Sequence, residues 1–134
     1  MSRGLGPLQK AVLRELARYE DRYTFEIASY ACNVPVRPDG YRHSADVTKA
    51  QHSATRRALL ALERRGLVFR KPGRSPRGEV IWMDRKHARH YARRELEASG
   101  AQAFAKHPRL LELARGQRAA EASDWLDFEL PLPI

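Results

Sequence analysis

Residues 48–70, TKAQHSATRRALLALERRGLVFR, predict a helix that runs directly into a β-strand. Thr48 with Gln51 fits the S/T-x-x-E/Q capping box, which gives the helix a start. Gly66 ends it, so the helix covers 48–65 before a strand-like apolar run. Small and apolar side chains recur at the spacing of one buried face: Ala50, Thr55, Ala58, Leu59 and Leu62. The opposite face is left with polar and basic side chains: Gln51, His52, Ser53, Arg56 and Arg57.

The composition is that of one folded domain. The chain has 134 residues, of which 43% are hydrophobic and 31% charged, and this excludes a disordered polyelectrolyte. No apolar run approaches about 18 residues, so we expect no membrane contact through a spanning helix. The N-terminal MSRGLGPLQK has no hydrophobic signal core, and the single Cys32 cannot form an internal disulfide. A cytoplasmic location is therefore the expectation.

The positive charge is concentrated in the middle of the chain. The net charge is +9, and residues 37–94 alone hold sixteen Lys/Arg against five Asp/Glu. Residues 1–36 carry a net +1 and residues 95–134 a net −3. A basic centre between near-neutral flanks is typical of a polyanion-binding surface. DNA, RNA, anionic lipid and an acidic protein all remain open as the polyanion on charge alone.

The flanking sequence predicts further helices and a hairpin. Pro7 starts a core helix over about 7–20, and Thr24 caps a short helix over 25–32. Residues 33–47 are predicted to form an extended loop. Two apolar runs, 67–69 and 80–83, flank a basic tip and predict a β-hairpin. Asp84 caps a helix over 85–99 that ends at Gly100, and Pro108 starts a last helix that reaches about 122.

This order of three helices, a β-hairpin and a further helix resembles the winged helix-turn-helix family, which includes the bacterial MarR-like and related transcription regulators. The resemblance covers roughly residues 5–84 and is strongest in ATRRALLALERRGLVFRKPGRSPRGEV. It implies a mainly α fold with a small β-hairpin wing and extra C-terminal helices. The chain departs from the family in the connection between helices two and three. That connection is usually a few residues long, and here it carries an insertion, a small strand or a helical turn.

The resemblance implies double-stranded DNA as the partner, with the helix over 48–65 in the major groove. The predicted DNA-binding residues on that helix are Thr48, Lys49, Gln51, His52, Ser53, Arg56 and Arg57. On the wing, the predicted backbone or minor-groove contacts are Arg70, Lys71, Arg74, Ser75 and Arg77. Arg37, Arg42 and His43 of the inserted loop are additional candidates for phosphate contacts.

Catalytic and metal-binding motifs are missing from the sequence. Cys32, His43 and His52 lack the paired spacing of zinc ligands, as do His87 and His90. No P-loop, G-x-S-x-G or HExxH is present. We therefore expect neither an enzyme nor a cofactor.

The chain divides into a predicted DNA-binding domain over 1–84, C-terminal helices over 85–122 and an acidic-aromatic tail over 123–134. The C-terminal helices are the predicted homodimer contact. The tail carries acidic and large apolar residues without a basic one, and it either packs on the chain's own core or across a dimer interface, or binds a protein partner. Two alternatives remain open. The first is a phage- or plasmid-type DNA-binding protein for replication, partition or recombination. The second is a protein-interaction module.

Overall fold

The structure, a computed structural model, describes residues 4–73 and 78–116. Within these ranges the chain is mainly helical and carries a small antiparallel sheet. The α-helices are α1 (Pro7–Arg18), α2 (Thr24–Ala31), α3 (Lys49–Arg64), α4 (Arg85–Ser99) and α5 (Pro108–Arg115). The strands are β1 (Arg22–Tyr23), β2 (Val68–Arg70) and β3 (Ile81–Asp84). Short 3₁₀ helices cover Ser44–Asp46 and Ala101–Phe104.

The sheet has the order β1-β3-β2, so the predicted hairpin of β2 and β3 is confirmed. Phe69 lies opposite Met83, and the antiparallel pairing continues to Lys71, whose N–H donates to the Ile81 carbonyl at 2.9 Å. Strand β1 was not predicted. It is two residues long, too short to show an alternating pattern, and its partner β3 is distant in sequence. Only the tertiary structure brings the two together.

Two hydrophobic cores lie on opposite faces of the sheet. Val68 and Trp82 face the first core, which α1, α2 and α3 complete with side chains such as Leu16 and Leu59. Phe69 and Met83 face the second core, which belongs to α4 and α5. Successive residues of a strand point to opposite faces, so adjacent residues of one hairpin serve both cores. The hairpin therefore connects the three-helix unit to the C-terminal helices.

Helix α3 begins with the capping box that the sequence predicts. The Thr48 side chain accepts a hydrogen bond from the Gln51 N–H at 3.0 Å, and the Gln51 side chain accepts one from the Thr48 N–H at 2.9 Å. Both halves of the capping box are therefore present. The start of α4 is confirmed too, because the Asp84 side chain accepts from the His87 N–H at 2.9 Å. The helix over 85–99 has the predicted bounds.

Near α1 and α2, some predictions were wrong. Helix α1 ends at Arg18 instead of residue 20, because Tyr19 is already extended and Asp21 has a φ of 43°. The N-cap of α2 is Tyr23, and Thr24 is its first helical residue. Thr24 instead accepts a hydrogen bond from the buried Trp82 indole at 3.0 Å. A threonine that bonds to a distant side chain is indistinguishable in sequence from a local cap.

The buried face of α3 was also assigned wrongly at three positions. Ala50 was expected in the core but is exposed, and Gln51 and His52 were expected outside but are half-buried. At about 100° per residue, Ala50 lies roughly 130° from the centre of the face formed by Thr55, Leu59 and their neighbours, whereas Gln51 lies within about 30° of it. The correct face follows from the helical period alone.

The loop over 33–47 includes the 3₁₀ helix Ser44–Asp46, which is the helical-turn alternative left open by the sequence. The last helix is described as far as Arg115. Its predicted continuation to 122 and the tail over 123–134 lie outside the described residues.

Candidate functional site

The outward face of α3 is the candidate site. Four side chains predicted to bind DNA are exposed on this helix: Lys49, Ser53, Arg56 and Arg57. Steps of three and four residues place them on one side of the helix, opposite the buried Thr55 and Leu59. Within residues 4–73 and 78–116, no ion pair or side-chain hydrogen bond involves Lys49, Arg56 or Arg57. This face therefore presents cations whose charge is not neutralised by a described neighbour.

Arg64 extends the same face and was missed in the sequence. It is exposed and follows Arg57 by seven residues, two helical turns further along. It also has no ion-pair partner among the described residues. The seven-residue spacing was a readable signal, but the Glu-Arg-Arg run at 63–65 looks like an ordinary solvated helix end. We use the name α3 cationic face for Lys49, Arg56, Arg57 and Arg64.

The first turn of α3 carries three further predicted residues, which are less available. Thr48 and Gln51 bond to each other in the capping box, so the Gln51 amide oxygen already accepts a hydrogen bond. The His52 ring lies against the Phe25 ring of α2, with centroids 4.5 Å apart and planes tilted by 37°. Phe25 is itself 42% exposed. The Phe25–His52 pair therefore adds partly exposed aromatic surface next to the α3 cationic face.

The base of the hairpin holds two predicted DNA-binding cations that both have partners. Arg70 donates two hydrogen bonds to the Glu63 carboxylate, at 2.8 and 3.1 Å, and its guanidinium lies 5.1 Å from the Trp82 ring centroid. The Lys71 ammonium donates to Asp21 at 2.7 Å and lies 5.2 Å from the Tyr91 ring centroid. Phosphate would have to compete with these carboxylates for both side chains.

The tip of the wing includes Arg74, Ser75 and Arg77, which lie outside the described residues. Their assignment to the DNA backbone or minor groove stays a prediction.

The loop over 33–47 neutralises its own charge. Arg37 forms two hydrogen bonds of 2.8 Å with Asp46, His43 pairs with Asp39 at 2.6 Å, and Arg42 donates to the Val34 carbonyl. The bond from Arg37 holds the pKa of the Asp46 carboxyl below its usual value. The Tyr41 N–H, and then His43, lower the pKa of Asp39 in the same way. The three cations predicted as additional phosphate contacts are thus engaged within the loop.

A groove of about 380 Å³ lies at the far end of the cationic face. Its walls are the end of α3, the outer edge of β2 and the start of α5. Apolar surface is contributed by Val68, Phe69, Pro108 and Leu110, and the rim carries Arg64, Arg70, Lys106 and Arg109. Arg109 donates to the Glu63 backbone carbonyl at 2.8 Å and so ties α5 to α3. The groove was not predicted, because its walls come from three separated segments.

Metal ligands are not brought together in the part of the chain that the structure describes, where no group of three or more His, Cys, Asp or Glu side chains could hold an ion. Cys32 instead lies 3.6 Å from the Thr55 hydroxyl. His87 bonds through Nδ1 to Asp84 at 2.7 Å, which raises the pKa of the imidazole. Nor does any helix among the described residues have the length and apolarity needed to cross a bilayer.

Comparison of the chain with models of protein families, with curated proteins and with solved structures found no match.

Proposed function

We propose that this protein binds double-stranded DNA as a winged helix-turn-helix protein and regulates transcription, with α3 in the major groove and the β2–β3 hairpin against the flanking backbone. One observation carries the proposal: the α3 cationic face combines unpaired cations with exposure along one side of a helix. Such a helix fits the width of the major groove, where arginine binds guanine edges or phosphates.

The arrangement of the elements supports the same conclusion. Helices α1, α2 and α3 share one core, and the hairpin follows α3 directly. The Arg70–Glu63 pair links the base of the hairpin to the end of α3, so β2 begins beside the helix. We assign Arg56 and Arg57 to base edges and phosphates, and Arg70 and Lys71 to positioning the wing. Affinity would come mainly from neutralised phosphates.

A salt titration of duplex binding tests the proposal. With Lys49, Arg56, Arg57 and the wing arginines 74 and 77 at phosphates, about five charges are neutralised, so log affinity falls with log salt at a slope of about −4 to −5. Arg57→Ala should make the slope shallower by about 1. Arg14→Ala removes the same charge from an exposed position on α1 and should leave the slope unchanged. A shallow slope for the unmodified protein, or equal effects of both variants, contradicts the proposal.

Sequence-specific readout is a separate part of the proposal. We infer that duplexes selected from a random pool bind more tightly than random DNA, and that Arg56→Ala reduces this preference at a cost of roughly 1–3 kcal/mol. If the variant weakens selected and random duplexes equally, α3 contacts only the backbone. A phage- or plasmid-type role in replication, partition or recombination would use the same residues, and the selected sequence would distinguish it from regulation.

A protein-interaction module is the second candidate function, and one observation favours it. The large hydrophobic side chains that are most exposed among the described residues all fall between 19 and 41: Tyr19, Phe25, Tyr30, Val36 and Tyr41. Tyr19 and Tyr30 both contact the Arg22 guanidinium and so lie near each other, and adjacent exposed apolar side chains are typical of protein contact surfaces. For the homodimer predicted from the sequence, this region is a better candidate than the apolar faces of α4 and α5, which are buried in the second core. Analytical sedimentation tests this contact surface: Tyr30→Asp should weaken the dimer, and the control Arg14→Ala should not.

A further inference from the structure

We propose that the chain's own C-terminal segment, residues 126–130, binds in the groove between α3, β2 and α5 as a fourth strand on the outer edge of β2. The groove shares Arg64 and Arg70 with the proposed DNA interface, but strand binding there does not depend on the proposed function. It rests on the free strand edge, the charge of the groove, the sequence of the segment and the distance it must span.

The outer edge of β2 has backbone groups available for pairing. The Lys71 N–H donates to Ile81 within the sheet, and hydrogen bonding alternates along an antiparallel pair, so the N–H of Arg70 points away from β3. Among the described residues, no strand pairs with β2 on that side. Arg70 lines the groove and is exposed, so its outward N–H is accessible there, whereas Val68 is buried and the open part of the edge begins after it. An exposed edge of this kind is the usual template for strand addition.

The charge of the groove selects an acidic segment. Its rim has four cationic side chains, Arg64, Arg70, Lys106 and Arg109, against the single carboxylate of Glu63. Arg64 and Lys106 have no ion-pair partner among the residues that the structure describes. Residues 121–134 hold four acidic residues and no basic one. The most acidic stretch of the chain is therefore complementary to the groove.

The sequence of the segment has the period of a strand. Leu126, Phe128 and Leu130 alternate with Asp127 and Glu129, so an extended chain would place apolar groups on one side and carboxylates on the other. Leucine and phenylalanine would cover the exposed Pro108 on the α5 wall, while the carboxylates would meet the cationic rim. Pro131 ends the segment, because proline cannot continue a hydrogen-bonded ladder.

The connection is long enough for binding within one chain. The groove lies at the start of α5, and the eight residues of that helix span about 12 Å. Nine residues lie between Gly116 and Leu126, and the ten steps along the chain can extend over about 33 Å. The chain can thus turn back along α5 and reach the β2 edge.

Amide hydrogen exchange of the full chain without DNA tests this proposal. The Arg70 N–H should exchange at least about tenfold more slowly than an unprotected amide, and Phe128→Asp should abolish that protection. The neighbouring Lys71 N–H lies within the sheet and should stay protected in the variant, which shows that the hairpin remains folded. Leu132→Asp, beyond Pro131, is the matched control and should leave Arg70 protected.

Three results would overturn the proposal. The first is an unprotected Arg70 N–H in the full chain, and the second is protection that survives Phe128→Asp. The third is protection that disappears on roughly tenfold dilution, because the strand would then come from a second copy of the chain. A DNA-binding failure affects none of these measurements, so the two proposals can fail separately.

Discussion

The α3 cationic face and the base of the β2–β3 hairpin are both basic in sequence but differ in what their cations contact. On α3, Arg56 and Arg57 are exposed and have no ion-pair partner among the described residues. At the hairpin, Arg70 is paired with Glu63 and Lys71 with Asp21. A run of basic residues therefore has two uses in one small protein. One set is available to a polyanion, and the other holds the elements together.

The strongest test of this difference compares two double variants. Arg56→Ala with Arg57→Ala should weaken duplex binding by about 2–4 kcal/mol and leave thermal stability nearly unchanged, because these side chains contact little of the protein. Arg70→Ala with Lys71→Ala should lower the free energy of unfolding by up to about 1 kcal/mol, with a smaller effect on binding. Fluorescence anisotropy and thermal unfolding measure the two quantities. Equal losses of affinity in both variants would remove the distinction.

Asp84→Ala should lower the free energy of unfolding without changing duplex affinity. Asp84 caps α4 from the end of β3, and loss of an N-cap costs about 0.5–2 kcal/mol of unfolding free energy. Because Asp84 is 3% exposed and distant in sequence from α3, duplex affinity of the folded protein should not change. Chemical denaturation measures the loss. Asp46→Ala, which removes an exposed carboxylate from the loop, is the control and should cost less.

Glu63→Gln should convert a paired cation into an available one. The amide keeps the size of the side chain but removes the charge that holds Arg70, so Arg70 becomes free for phosphate. We expect duplex affinity to rise roughly threefold, equivalent to about 0.6 kcal/mol, and the salt slope to steepen. Glu112→Gln removes one negative charge from an exposed site on α5 and is the matched control. An unchanged affinity would mean that Arg70 is not near the DNA.

The smallest expected effect is a pH dependence of stability. The hydrogen bond to Asp84 raises the pKa of His87 above its unfolded value near 6.5, so the protonated imidazole stabilises the fold. This contribution is complete below the unfolded pKa and is lost as pH rises through the folded pKa. His87→Gln should therefore lower the melting temperature more at pH 5.5 than at pH 8.5. A difference that is the same at both pH values would contradict the assignment.

Local patterns predicted much of the fold. The capping box at Thr48, the cap at Asp84 and the glycine at 66 are interactions between residues a few positions apart, and the structure contains all three features. Non-local features were missed or misread. Strand β1 and the Thr24–Trp82 hydrogen bond depend on residues far apart in sequence. Ala50 and Gln51 were misassigned although the helical period places them correctly.

The candidate site shows the same division. The sequence by itself placed Lys49, Ser53, Arg56 and Arg57 of α3 on the outward face, because helical geometry needs only the spacing of the buried positions. Only the tertiary structure decided which cations remain without a partner, since Glu63 meets Arg70 and Asp21 meets Lys71 through packing between separate elements. It also formed the groove beside β2 from three distant segments. The physical reason is that spacing along one helix is a local property, whereas charge neutralisation and concave surfaces arise from contacts across the fold.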